Sequence, residues 1–293
     1  MLKMIISKSI GMVFFLAVGS VFSSPVFEFG EAPAGYTRDR QARYSFTVEN
    51  TANAVMDRGV LWVAIPFNQT ATQWLLRVAA TEAASLTNDA FGNGMLKFDL
   101  GPLPPFGSRV IKITADLKLA DKPQPAGGKS EVRNPKSEID SEITALAGKL
   151  KGASQSATAK NICGWVENNL KYSGFHAANR GALWALQNRK GDCTEYAALF
   201  TALCRANGIP ARMLNGFVCP KNMILKPYSL HDWAEFYDGT TWIIADPEQK
   251  NFNARQADYI AFKVLEPAEA DQRDYDNSIF RFDGPGLTAR MDK

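Results

Sequence analysis

The sequence predicts an α+β chain: an all-β sandwich over residues 24–120, then a domain of helices followed by antiparallel sheet over residues 138–293. Three observations predict it. Apolar and polar residues alternate with period two through most of residues 26–120. The period turns helical from Glu138 and returns to two after Gly208. Between the halves, residues 121–137 carry Pro123, Pro125, Gly127, Gly128 and Pro135 and keep no apolar period, the mark of a linker.

Residues 1–23 read as a signal peptide. Lys3 and Lys8 form a basic n-region, and Ile10 to Phe22 is an apolar run too short to span a bilayer comfortably. Ser23 is the expected last residue removed, which leaves about 270 residues, a soft prior of two domains. The expected location is outside the cytoplasm, periplasmic or extracellular. The net charge of +3 includes both signal lysines, so the remaining chain is nearly neutral. No basic run interleaves with aromatics, which argues against nucleic acid as partner. No later apolar run is long enough for a transmembrane helix. Four cysteines are too few for a disulfide scaffold. Cys193 and Cys204 are three turns apart on one helix and cannot bond, which makes Cys204 a core residue. Cys163 and Cys219 are left open, paired or reduced.

In the first half, Tyr44, Phe46 and Val48 define one strand, and Ile111, Ile113, Ala115, Leu117 and Leu119 another. Leu96, Phe98 and Leu100 follow an Asn93-Gly94 turn signal. Residues 75–87 fit either strand or helix. No catalytic constellation is visible here, so the half reads as structural or docking. In the second half, Ile139, Ile143 and Leu146 define one helix, Ala159, Ile162, Cys163, Val166 and Leu170 another, and Gly181 to Gln187 a third. Strands follow at 211–217, 231–237 and 241–246, with Ser278–Phe282 and Leu287–Met291 as edge strands closing this domain.

The chemistry centres on Gly191-Asp192-Cys193. Asp192 can cap a helix running from Cys193 to about Asn207, with Gly208 as its left-handed stop. Cys193 then lies at a helix N-terminus, where free amides and the dipole favour a thiolate, so a depressed pKa is expected. The alternative is a buried structural cysteine. A thiol nucleophile needs a base, and the base needs an orienting group. The chain has two histidines, His176 and His231. His231 opens a strand whose hairpin partner ends in Asp246. The expected turn is a two-residue Asp238-Gly239 loop, which makes His231 and Asp246 direct cross-strand partners. A four-residue loop, Asp238 to Thr241, places Asp246 opposite Trp233 with His231 as diagonal neighbour. A three-residue loop puts them on opposite faces. His176 reads as a surface loop residue, Trp233 as sheet packing, and Arg212 as half of a structural ion pair.

These blocks resemble a known family. Gly191-Asp192-Cys193-Thr194-Glu195-Tyr196-Ala197, then Cys204 to Arg212, His231-Asp232-Trp233-Ala234-Glu235, and Trp242 followed by Asp246-Pro247, are similar to the transglutaminase-like superfamily core. The resemblance spans about Ser156 to Phe252. It implies a papain-like fold with Cys193 as nucleophile, His231 as general base and acid, and Asp246 as orienter. It implies an exported bacterial member with a preceding β-domain, acting on peptide or protein substrates. No calcium loop is visible, so no metal or other cofactor is expected. For the oxyanion hole, the Cys193 amide is one donor. Gln187, at the offset papain-like proteases use, and Tyr172, an aromatic donor upstream, are the two side-chain options. The preferred reading of Gln187 is a solvated helix-end residue, while for Tyr172 the two readings stand even. Three functions fit: amide hydrolysis through a thioester, glutamine-to-amine acyl transfer, and non-catalytic peptide binding. The triad alone does not separate the first two, and the resemblance tilts towards hydrolysis.

Overall fold

The computed structural model describes residues 25–89, 91–125, 140–265 and 278–293. The expected signal peptide and most of the expected linker lie outside these residues.

The first half is a two-sheet sandwich. Its strands are β1 (Val26–Glu28), β2 (Arg38–Asn50), β3 (Gly59–Ala64), β4 (Gln73–Ala80), β5 (Ser85–Asn88), β6 (Gly94–Leu100) and β7 (Ser108–Leu119). One sheet has the order β1-β4-β7-β2, and the other contains β3-β6-β5. Alternation in β2 and β7 sends Tyr44, Phe46, Val48, Ile111, Ile113, Ala115 and Leu117 into the interior. The ambiguous segment 75–87 resolves into β4, the turn after it and most of β5. The Asn93 side chain does more than turn the chain: it is buried and bonds reciprocally to the backbone of Val264, at 2.7 and 3.1 Å.

The second half begins with α1 (Ser141–Lys149), α2 (Gln155–Asn169), β8 (Lys171–Tyr172), α3 (Gly181–Asn188), β9 (Lys190–Gly191) and α4 (Cys193–Ala206). It continues with β10 (Ala211–Val218), β11 (Met223–Ile224), β12 (Leu230–Tyr237), β13 (Trp242–Asp246), β14 (Asn251–Phe252) and β15 (Tyr259–Leu265). The central sheet runs β14-β13-β12-β10-β15, all antiparallel. Helix α4 packs its Leu199, Phe200 and Leu203 on the face carrying Ala234, Phe236 and Ala245. The opposite face meets the sandwich: Phe217, Ile260 and Phe262 join the core of β2 and β7. The architecture is therefore α+β with a β-rich N-terminal region.

The tail corrects an expectation. β16 (Phe280–Asp283) pairs with β3, and β17 (Leu287–Met291) pairs with β2. Both are edge strands, but they close the sandwich and not the helical half. The cysteines are also settled in position. Cys163 lies in the helix-side core and Cys219 in the sandwich-side core, so the central sheet separates them. All four cysteines are unpaired thiols.

Candidate active site

Helix α4 starts where the sequence says it should, for the reason it says. The Asp192 side chain accepts from the Thr194 amide, and Glu195 Oε2 accepts from the Asp192 amide, a reciprocal capping box. Glu195 is fully buried, with Arg180 Nη2 at 2.6 Å and the Arg180 amide at 2.9 Å. Burial works to raise its pKa, but Arg180 and the amides hold it below the ordinary value. Gly191 is needed because a methyl there would overlap Glu195 Cβ. The second oxygen of Asp192 accepts from the His176 amide at 2.8 Å, which ties the 173–180 loop to the start of α4. His176 itself is an exposed loop residue, as expected.

Cys193, the first residue of α4, is partly exposed. Its thiol lies beside His231, close enough that each side chain shifts the other's pKa, and the Asp232 amide is also near it. His231 Nε2 lies 2.7 Å from Asp246 Oδ2, which leaves Nδ1 for the thiol. The three expected residues are thus brought together. The register that does so is the four-residue alternative. Tyr237 pairs with Trp242 and Ala234 with Ala245, and continuing that ladder sets Asp246 opposite Trp233. The cause is Asp238, whose carboxylate accepts from the amides of both Thr240 and Thr241, at 2.8 and 2.9 Å. It closes an Asx-type turn with Gly239 at φ +103°. His231 reaches Asp246 diagonally, on one face.

The Cys193 pKa departs from expectation. Burial pushes it up and the Asp232 charge adds to that, and together they outweigh the His231 hydrogen bond, the imidazolium charge and the Asp232 amide. The resting thiol holds its proton more tightly than an ordinary cysteine. His231 moves the same way: burial opposes its charge, but Asp246 and Cys193 raise its pKa well above the usual histidine value.

Supports the sequence did not reveal surround these groups. Asp232 is buried and accepts from Asn215 Nδ2 and Thr194 Oγ1, each at 2.7 Å, clamping the start of α4 to β12 and β10. Tyr259 donates its hydroxyl to Asp246 Oδ2 at 3.0 Å and accepts from Asn251 at 3.0 Å. The Gln249 amide donates to Asp246 Oδ1 at 3.2 Å. Trp233 is buried, stacks on His231 and meets Tyr259 edge-on, so it packs as expected. Arg212 also behaves as expected, bonding Glu235 at 2.8 Å beneath the Trp242 ring.

The two oxyanion options separate. Gln187 Nε2 donates to Glu142 of α1 at 2.8 Å on the surface, in keeping with the helix-end reading and not with the oxyanion option. Tyr172 lies on β8, paired with Gly191, and the charges of Cys193 and Asp192 act on its phenol. His231, Asp246 and Glu248 bring three potential metal donor atoms within 4.8 Å of one another, though the first two are already bonded together.

A cysteine at a capped helix start thus faces a His–Asp pair on an antiparallel sheet. Residues 144–247 match the transglutaminase-like superfamily, and this part of the chain is a transglutaminase-like core domain. No curated protein matches the chain. Among solved structures, a candidate cysteine protease from Cytophaga hutchinsonii is 18% identical with a TM-score of 0.54. The match covers 87% of this chain and 92% of that one. It shares the fold across both halves. Legionella pneumophila LapG, at 16% identity and TM-score 0.29, matches over 42% of this chain and 80% of its own. Red sea bream transglutaminase, at 11% and 0.28, matches over 74% and 49%.

Proposed function

We propose that the chain is an exported thiol hydrolase that cleaves amide bonds of peptides or proteins through Cys193, His231 and Asp246. The observation that carries the reading is the placement of the Cys193 thiol beside His231, whose other ring nitrogen bonds Asp246 at 2.7 Å. In this reading His231 takes the thiol proton as Sγ attacks the amide carbon. The oxyanion forms against the Cys193 amide, which lies outside the helical hydrogen-bond ladder, and against the Tyr172 hydroxyl. His231 then gives its proton to the departing amine. Water, deprotonated by His231, attacks the thioester, releases the acid and restores the thiol. Asp246 keeps the ring oriented and balances the imidazolium. Tyr259 and the Gln249 amide hold Asp246 for that task.

The test is intact-mass analysis of a glutamine-containing peptide library incubated with the protein, with and without a primary amine. Chain cleavage by the native protein, absent in Cys193→Ala, is the expected result. Loss of ammonia with gain of amine would replace hydrolysis by acyl transfer. A Cys193 that no thiol-directed probe labels would overturn the enzyme reading altogether. A Cys193→Ala chain that fails to fold would make the cysteine structural.

A further inference from the structure

The proposed mechanism leaves one charged group at the site unused. Glu248 follows Pro247 in the turn after β13, two residues beyond Asp246. Its carboxylate lies within 4.8 Å of donor atoms of both His231 and Asp246. The other acids here are engaged: Asp192 and Asp232 accept from amides and neutral side chains, and Glu195 is paired with Arg180. Glu248 accepts from the side chain of its neighbour Gln249, and the cation it lies near, His231, is already bonded to Asp246. It is only partly buried, so solvent and ligands reach it. Its charge acts on the phenols of Tyr172 and Tyr196. A partly exposed carboxylate beside the candidate triad, whose neighbouring imidazole is already held by Asp246, suits an ammonium group through charge.

We propose that Glu248 determines specificity, receiving a primary ammonium group of the substrate beside the reacting carbonyl. This rests on Cys193 being the reacting group. The ammonium could belong to a lysine side chain of the cleaved peptide or to an amine that accepts the acyl group.

The test reads charge preference at the thiol without needing the natural substrate. Cys193 is labelled with cationic, neutral and anionic methanethiosulfonates of similar size, and adducts are counted by mass. The other three cysteines are buried, so one adduct is expected. The neutral reagent corrects for any change in the thiol itself. In the native protein the cationic reagent should outpace the anionic one, and Glu248→Gln should cut that ratio roughly 5-fold or more. An unchanged ratio overturns the proposal. A second arm separates the sources. Glu248→Gln should raise KM for a lysine-flanked peptide over its norleucine twin, or raise the amine concentration needed for half-maximal incorporation. If the ratio falls but neither kinetic value moves, a substrate ammonium is not the ligand. If the ratio falls and no acyl chemistry is found, the cation subsite stands while the hydrolase reading fails.

Discussion

At Asp246 one carboxylate serves several partners, and this makes its removal informative. Oδ2 takes His231 and Tyr259, and Oδ1 takes the Gln249 amide. Asp246 helps raise the His231 pKa, so the imidazolium persists to higher pH than in a free histidine. The form able to accept the thiol proton appears only as pH rises through that raised value. The acid limb of kcat/KM should therefore have its midpoint above about 6.5, the free histidine value. Asp246→Asn should move that midpoint downward and cut kcat by ~10⁴-fold, the scale seen when a triad loses its acid's charge. A pH–rate profile unchanged in position would sink this account. Tyr172→Phe tests the oxyanion donor separately: kcat should drop ~10²–10³-fold with KM nearly unchanged. A change in KM alone would make Tyr172 a binding group. The residues of the three motif blocks were legible from sequence because their spacing carries the chemistry. Asp232, Tyr259 and Glu248 were not singled out, since each acts through a contact that only folding creates. The surface partner of Gln187, Glu142, was not legible either, being 45 residues away.

At the level of elements, the site depends on how α4 is seated. Two anchors hold its first turn: the Glu195–Arg180 pair and the Asp232–Thr194 bond. Both acids are buried, so breaking either pair leaves a polar group stranded. Glu195→Gln leaves Arg180 without its counter-charge and should cost about 3–5 kcal/mol, measured by denaturant unfolding. The linkage has a definite sign. Glu195 has a lowered pKa, so its stabilisation is full above the ordinary carboxylate value and is lost as pH falls through the lowered one. The native protein should lose stability in acid below ~4.5, and Glu195→Gln should lose part of that dependence. Equal acid sensitivity in both would assign it to other carboxylates. The helix was readable because its cap, stripe and glycine stop agree locally: Asn207 is the C-cap and Gly208 has φ +73°. The β12–β13 register was not, because Asp238 chooses between two loops with the same alternation. Both loops put His231 and Asp246 on one face, so the pairing survived the wrong register.

At the scale of the molecule, the two halves share structure that local patterning could not show. Gln73 and Asn93 use their side-chain amides as surrogate strand, bonding Ala261 and Val264 along the free edge of β15. An open sheet edge is thereby covered. β11, from the loop before the His231 strand, pairs in parallel with β2. The tail runs in the other direction: β16 and β17 return from the second half to the first. Short alternating strands announce that they pair, but not with which sheet, so their destination was misjudged. Ile279, Leu287 and Met291 are buried there, Phe280 packs on Phe46, and Asp292 takes the hydroxyls of Ser45 and Thr47, each at 2.6 Å. At about 1.5–3 kcal/mol per buried apolar side chain, these three residues alone supply roughly 5–9 kcal/mol. That is comparable with the ~5–15 kcal/mol stability of a whole domain. Deleting residues 278–293 should therefore unfold the sandwich. The Phe217, Ile260 and Phe262 face would lose its cover, and the Cys193 site would be destabilised with it. A milder version, Leu287→Ala with Met291→Ala, should raise amide exchange in β2 and β3 before β12 and β13. Exchange that rises first in β12 and β13 would return the tail to the second domain.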